Sequence, residues 1–189
     1  MSSKHSSLVH NNFIQAPFDR RIYAFLLDFI TIWFLSSFFK GITQNIVFSF
    51  TWLILQVIIV NKNKGQSLGC WAFDLKIISI RTRRIPQLNE MLKREATLGF
   101  LALLAMLGLK INFDNGLSML LLTTPVVVDF SIVLGNQKHH SQTLHDMVGH
   151  TILIQSQRGF SLDLRIKKIL KTIHKLSLIH ISEPTRRTD

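Results

Sequence analysis

Between Arg20 and Phe39 the chain reads RRIYAFLLDFITIWFLSSFF, an arginine pair heading an almost wholly apolar run that holds one carboxylate, Asp28. At about 1.5 Å rise per residue, such a run reaches across a bilayer core of about 30 Å. A core helix of a soluble protein would be shorter and would carry a polar stripe. Asp28 lies seven residues beyond Arg21, two turns along the same helical face and about 10 Å deeper. An ionised Asp at mid-span costs about 2.5 to 3.5 kcal/mol on insertion scales, so Asp28 is expected to face other helices and to have a partner or a task.

Composition supports a membrane class. Of 189 residues, 47% are hydrophobic and 17% charged, too little polar surface for an ordinary soluble domain. The net charge of +11 is spread between apolar runs and forms no single patch with interleaved aromatics. That argues against nucleic acid and for anionic lipid headgroups as the partner of the basic residues. The lone cysteine, Cys70, excludes an internal disulfide and a four-cysteine zinc site, and it has no catalytic partner at recognisable spacing. A polar leader precedes the first apolar run without a small-residue cleavage site, so no cleavable signal peptide is expected.

In order along the chain, residues 1–18 read as a mobile cytoplasmic leader and residues 19–155 as one membrane domain. Its spans are expected at about 22–39, 42–60, 93–110 and 117–135, with the third helix beginning earlier and Lys93, Arg94 and Glu95 near the headgroups. Tyr23, Trp33 and Trp52 suit either interfacial anchoring or packing. Pro125 removes a backbone hydrogen bond from the fourth span, where Thr123 and Thr124 can satisfy part of the freed backbone. The loop Asn61–Arg94 carries eight Lys or Arg and few acidic residues. Asp74–Ile80 within it reads as a strand, Ile85–Leu88 as a short second strand, and Asn89 as a helix cap. Basic residues cluster before the first span, in this loop and in Lys138–Lys175, against only Lys40 and Lys110 in the two opposite loops. The expectation is therefore an all-α, multi-pass protein with four helices, both termini cytoplasmic, and a small cytoplasmic β-sheet. That sheet would come from the middle loop and the segment after the last helix, with Thr151–Gln155 pairing with Asp74–Ile80.

Asp28 is about seven residues from the cytoplasmic start of the first span, and Asp129 about seven from the cytoplasmic end of the fourth. Both should lie at similar depth. If these spans are neighbours, Asp28, Asp129 and Arg20 or Arg21 form one polar cluster. Such a site suits proton or cation exchange, and it equally suits a structural ion network that fixes helix packing.

Arg21, Ala24 and Asp28 in RIYAFLLD resemble the opening pattern of the RDD family of bacterial polytopic membrane proteins. GQSLGCWAFDLKII, with Gly65, Gln66 and Gly69, resembles that family's glycine-containing segment after the second span. SQTLHDMVGHTILI, with Leu144, His145 and Asp146, resembles its terminal Leu-His-Asp motif and the Thr-led apolar strand that follows. The matches run from about residue 17 to 155. Cys70 and Trp71 stand where the family usually has basic residues, Asp74 replaces a common glycine, and Gly149-His150 replaces the usual Ala-Gly pair. The resemblance implies an integral protein of the bacterial inner membrane from a family whose molecular activity is mostly unassigned, with a transport role suspected and some members linked to cation and proton exchange.

Other sites are fewer. His139, His140, His145 and His150 with Asp146 match no zinc spacing, so no metal is expected. Asp146 is expected to accept backbone amides or an arginine from the middle loop. No P-loop, dinucleotide fingerprint or nucleophile elbow occurs, and neither enzymatic activity nor a cofactor is expected. Residues 156–175 read as a basic amphipathic tail on the inner membrane surface. Residues 176–189 contain LSLIHISEPTR, which resembles translated sequencing-adapter DNA and is expected to be non-native. Two functions follow: a small transporter or ion-exchange component, which with four spans would work as a homo-oligomer, or a non-catalytic scaffold or assembly factor binding lipid or a partner protein.

Overall fold

A computed structural model describes residues 14–110, 115–135 and 142–156. Residues 1–13, the histidine pair His139 and His140, and the stretch 157–189, with nearly all of the basic tail and all of the adapter-like segment, lie outside the described residues. Four long helices carry the fold: α1 (Phe18–Ser36), α2 (Ile42–Lys62), α4 (Leu88–Lys110) and α5 (Gly116–Gly135). Two short helices, α3 (Leu68–Ala72) and α6 (Leu144–Gly149), each precede a strand, β1 (Leu75–Ser79) and β2 (Thr151–Gln155).

By length and composition, α2 and α5 can each cross a membrane. Only 17% of the apolar stretch of α5 is buried, and Leu117, Leu120, Leu121 and Val127 are among its exposed side chains. The core helix of a soluble protein would bury such a surface, so this one is suited to lipid. α1 and α4 are less apolar for an identifiable reason. Each begins with charges, Asp19, Arg20 and Arg21 in one and Glu90, Lys93, Arg94 and Glu95 in the other.

Those charged starts gather at one end of the molecule. Arg21 near the start of α1 and Arg94 near the start of α4 both reach Asp146 of α6. The last turn of α2 packs Val60 against the sheet residues Leu75 and Ile77, and Asp129 in the second half of α5 reaches His145. The four helices therefore alternate in direction, with the sheet at the end where α1 and α4 begin.

β1 and β2 pair antiparallel, Leu75 opposite Gln155 through Ser79 opposite Thr151. The other edge of β2 is taken by the end of the leader: Gln15 bridges Ile154, and Ala16 N–H donates to the Leu153 carbonyl at 3.2 Å. Residues 14–18 thus differ from the mobile leader expected, because they complete the sheet and open α1. Ile85–Leu88 forms no strand. Ser79 N–H closes a turn on the Arg84 carbonyl at 2.9 Å, Leu88 already begins α4, and Asn89 lies inside the helix. At that start Gln87 N–H is capped by the Glu90 carboxylate at 3.2 Å.

Two apolar cores result. One lies under the sheet and includes Ala24, Val57, Cys70, Leu75, Ile77 and Leu153. The other lies between the long helices and includes Phe29, Ile32, Phe48, Trp52, Met106 and Phe130. Trp52, at 1% exposure, is a core residue and no interfacial anchor, whereas Tyr23 is half exposed beside Phe73. Pro125 sits inside α5. Thr123 and Thr124 hydroxyls donate to the carbonyls of Met119 and Leu120, one turn back along the helix as such hydroxyls commonly do.

Candidate functional site

The two cores meet at a layer of buried charge. The buried stripe of α1 runs Arg21, Ala24, Asp28, Phe29, Ile32 and Ser36, so helical periodicity places both charges on its inward face. Arg21 is 3% exposed. Its Nε donates to the Ala16 carbonyl and its Nη2 to the Leu153 carbonyl, both at 3.2 Å, while Nη1 stands 3.6 Å from Asp146 Oδ2. One guanidinium thereby ties the leader, β2 and α6 to α1.

Asp28 works in a different direction. Its Oδ2 accepts from Ser67 Oγ at 2.6 Å and its Oδ1 from Gly69 N–H at 2.8 Å. Ser67 in turn caps α3, accepting from Cys70 N–H at 3.0 Å. Gly69 is glycine because the chain passes directly over α1: a Cβ there would overlap the Ala24 carbonyl. Gly65, at φ +84°, leaves no room for a Cβ, which would stand 2.6 Å from the Ile77 carbonyl oxygen, and its own carbonyl accepts from Ile77 N–H at 2.9 Å. Gln66 Nε2 donates to the Leu75 carbonyl at 2.7 Å. The segment Gly65–Gly69 is thus a strap that fastens β1 to α1 through Asp28.

Asp146 is the hub. Arg94 Nε donates to its Oδ1 at 2.9 Å, Thr151 Oγ1 donates to the same oxygen at 3.3 Å, and Arg21 faces Oδ2. Burial alone would raise this carboxyl, but the Arg94 guanidinium, His145 and Arg21 outweigh burial and hold it at about 2. The arginine expected from the middle loop is therefore Arg94, carried in the first turns of α4. Arg94 and Glu95 do not sit at headgroups as expected: they are 6% and 0% exposed, and Arg94 Nη1 also contacts Glu95 Oε1. The sheet and α6 cover this end of α4. Gly149 packs so closely on it that a Cβ would stand 2.7 Å from Arg94 Cβ.

Asp129, fully buried, meets His145: Oδ1 accepts the backbone N–H at 3.2 Å and Oδ2 lies 2.5 Å from Nδ1. The other ring nitrogen lies 3.1 Å from Thr143 Oγ1. Hydroxyl, imidazole and carboxylate follow one another in the order of a hydrolase triad. Thr143 Oγ1, however, is the cap of α6, accepting from Asp146 N–H at 3.3 Å, and is 1% exposed. Leu144 is 43% exposed, the outward member of the Leu-His-Asp motif.

Between these groups lies a cavity of about 40 Å³, room for roughly three or four waters at 10 to 15 Å³ each. Arg21, Asp28, Gln56, Arg94, Glu95 and Asp146 line it. Gln56 comes from the π-helical stretch Ile54–Ile59 of α2, a local widening that often accompanies functional sites. Arg21 and Asp28 thus share one cavity, as their spacing implied, whereas Asp129 sits behind His145 and pairs with it. Glu95 was not singled out by sequence. It is fully buried, and its Oε2 has no hydrogen-bond partner. Among the described residues no group of three His, Cys, Asp or Glu is arranged to hold a metal. Burial, with Asp28 adding to it, pushes the Cys70 thiol up to about 11, where it is a poor nucleophile.

No curated protein and no solved structure matches the chain. The model of the RDD family matches residues 15–150, from the leader residues that edge the sheet to the turn before β2. That range takes in Arg21, Asp28, Glu95, Asp129 and Asp146, and with two helices apolar enough to cross a bilayer it marks a membrane protein: the chain belongs to the RDD family.

Proposed function

We propose that this protein crosses the inner membrane four times with both termini cytoplasmic, and that its buried carboxylate and guanidinium cluster exchanges a proton or small cation with the cytoplasm. The alternating helix directions and the distribution of basic residues support the topology, because the charged starts of α1 and α4 and the basic middle loop fall at the same end. Past those starts, the charged residues of α1 and α4 are Asp28 and, at the far end of α4, Lys110. The basic loop would rest on anionic headgroups, and a working unit would be a homo-oligomer, since four helices enclose little of a pathway.

The observation that carries the exchange reading is the wet-sized cavity whose wall includes Glu95 with one carboxylate oxygen unpartnered. Buried ionisable groups inside a membrane domain are costly and commonly serve ion or proton pathways. A second reading, a scaffold or assembly factor without transport, is favoured by Asp28 and Asp146, whose oxygens are occupied in joining elements. Cation-dependent proton flux in proteoliposomes separates the two. Exchange predicts flux with the full chain that Glu95→Gln removes while the variant still elutes as a folded protein and loses less stability than Asp146→Asn, because Arg94 keeps Asp146. Absence of flux above empty liposomes across the common monovalent cations leaves the scaffold.

A further inference from the structure

Residues 65–73, GQSLGCWAF, hold no charge, although Lys62 and Lys64 precede them and Asp74 and Lys76 follow. They run down the flank of α1 and α2 instead of away from it. Past the end of α2 at Lys62 the chain turns back at Lys64 and Gly65, both at positive φ, and Gly65 N–H donates to the Val60 carbonyl at 2.8 Å. At Ser67 and Gly69 it has reached Asp28, ten residues or about 15 Å into α1 from Phe18. Leu68 goes as deep: with Thr31, Ile32, Leu55 and Ile59 it lines a crevice between α1 and α2. α3 then climbs back to Phe73, whose ring lies 5.8 Å from that of Tyr23, nearer the start of α1.

What faces outward at that depth is apolar. Leu68 and Trp71, three residues apart on one face of α3, are 48% and 49% exposed, and Ile30, Ile58 and Ile59 on the flanking helices are exposed as well. The non-helical residues 65–67 are buried. That division is what a bilayer requires: irregular backbone persists at membrane depth only where protein covers it, whereas a helix can show its side chains to lipid. Two N–H groups in the first turn of α3 find their partners within the protein, Gly69 on Asp28 Oδ1 at 2.8 Å and Cys70 on Ser67 Oγ at 3.0 Å, so neither needs water.

We infer that the strap is a re-entrant segment: α3 lies below the cytoplasmic headgroups, with Leu68 among the acyl chains, Trp71 at the headgroup boundary, and the exposed Lys62 and Lys64 above them against anionic lipid. Indole suits that boundary and lysine the phosphate layer. Asp28 is then the group that holds the deepest turn of the dip. This rests on the four-span topology proposed above, and it holds for exchanger and scaffold alike.

The test uses the full chain in nanodiscs of phosphatidylethanolamine and phosphatidylglycerol. A nitroxide is attached to Leu68→Cys, Ile30→Cys or Arg83→Cys, the native Cys70 being buried. Collisions with oxygen, which concentrates among acyl chains, are compared with collisions with a water-soluble nickel chelate. The expected result is oxygen dominance at Leu68 and Ile30 and nickel dominance at Arg83. Nickel dominance at Leu68 with oxygen dominance at Ile30 overturns the re-entrant strap and spares the spans, whereas nickel dominance at Ile30 overturns the topology and the strap together. Protection of Leu68 from both, the mark of another protein or a second copy seated on α3, also overturns the inference. Trp71→Phe gives a second readout that needs no cysteine. The emission it removes from the parent should be quenched by brominated acyl chains, and iodide quenching that the substitution abolishes overturns the placement of Trp71.

Discussion

Asp146→Asn removes a charge that two guanidiniums share, Arg94 at 2.9 Å and Arg21 at 3.6 Å, in a place where all three side chains are at most 7% exposed. Breaking a buried pair by neutralising one partner costs about 3 to 5 kcal/mol, because the remaining charge stays desolvated. The same interaction sets a pH dependence. The folded carboxyl sits near 2 against an ordinary value of 3.8, so its contribution, on the order of 2 kcal/mol, is complete above about pH 4 and disappears as pH falls through about 2. Thermal unfolding in detergent, followed by circular dichroism at neutral pH and down to pH 3, reads both effects. The variant should melt roughly 10 °C lower at pH 7, and the acid-induced decline of the parent should be shallower in it. Asp28→Asn is the internal control, because the donors on that carboxylate are neutral, Ser67 Oγ and Gly69 N–H, and the expected loss is about 1 kcal/mol. A loss below about 1 kcal/mol for Asp146→Asn, or a larger loss for Asp28→Asn, refutes Asp146 as the electrostatic hub.

Gly69→Ala should destabilise by about 1 to 3 kcal/mol or prevent assembly, since the new methyl overlaps the backbone of Ala24; a normal melting curve would contradict the close crossing of strap and helix. His150→Gly should stabilise by about 0.5 kcal/mol, because His150 holds φ +51° and relief of that strain exceeds the added chain entropy; unchanged or lower stability in chemical denaturation counts against it. Cysteines placed at Lys40 and at Arg83 should react with an impermeant maleimide from opposite sides of the membrane, the native Cys70 being buried; labelling of both from one side rules out the four-span topology.

Much of this architecture is legible in the chain because bilayer-length apolar runs and basic loops have few alternative uses. The sheet is legible too: β-branched residues bounded by turns at Leu75–Ser79 and Thr151–Gln155 do pair. The departures from the family pattern at Asp74 and His150 are informative, since both residues adopt positive φ, 57° and 51°, where glycine carries no strain. What escaped the sequence was burial at the start of α4. Lys93, Arg94 and Glu95 look alike as charges preceding an apolar run, and their separation depends on α6, which arrives from 50 residues further along and covers Arg94 and Glu95 while leaving Lys93 exposed. The short strand expected at Ile85–Leu88 failed for a related reason. Both edges of β2 are occupied, one by β1 and the other by Gln15, and the chain after the Arg84 turn enters α4 directly.

The occupancy of each carboxylate changes which one is suited to exchange. Both oxygens of Asp28 are committed to the strap, Asp129 is held against His145, and Asp146 faces two arginines. Protonating Asp28 would loosen α3 from α1, and protonating Asp146 would take a carboxylate from two guanidiniums at once. Protonating Glu95 takes one from Arg94 alone, and Arg94 keeps Asp146 at 2.9 Å. Glu95 is therefore the member of the cluster whose charge can change with the least disturbance of the joints around it. If protons or cations move through this protein, Glu95→Gln should stop them while leaving the fold intact, whereas Asp28→Asn should affect transport and stability together.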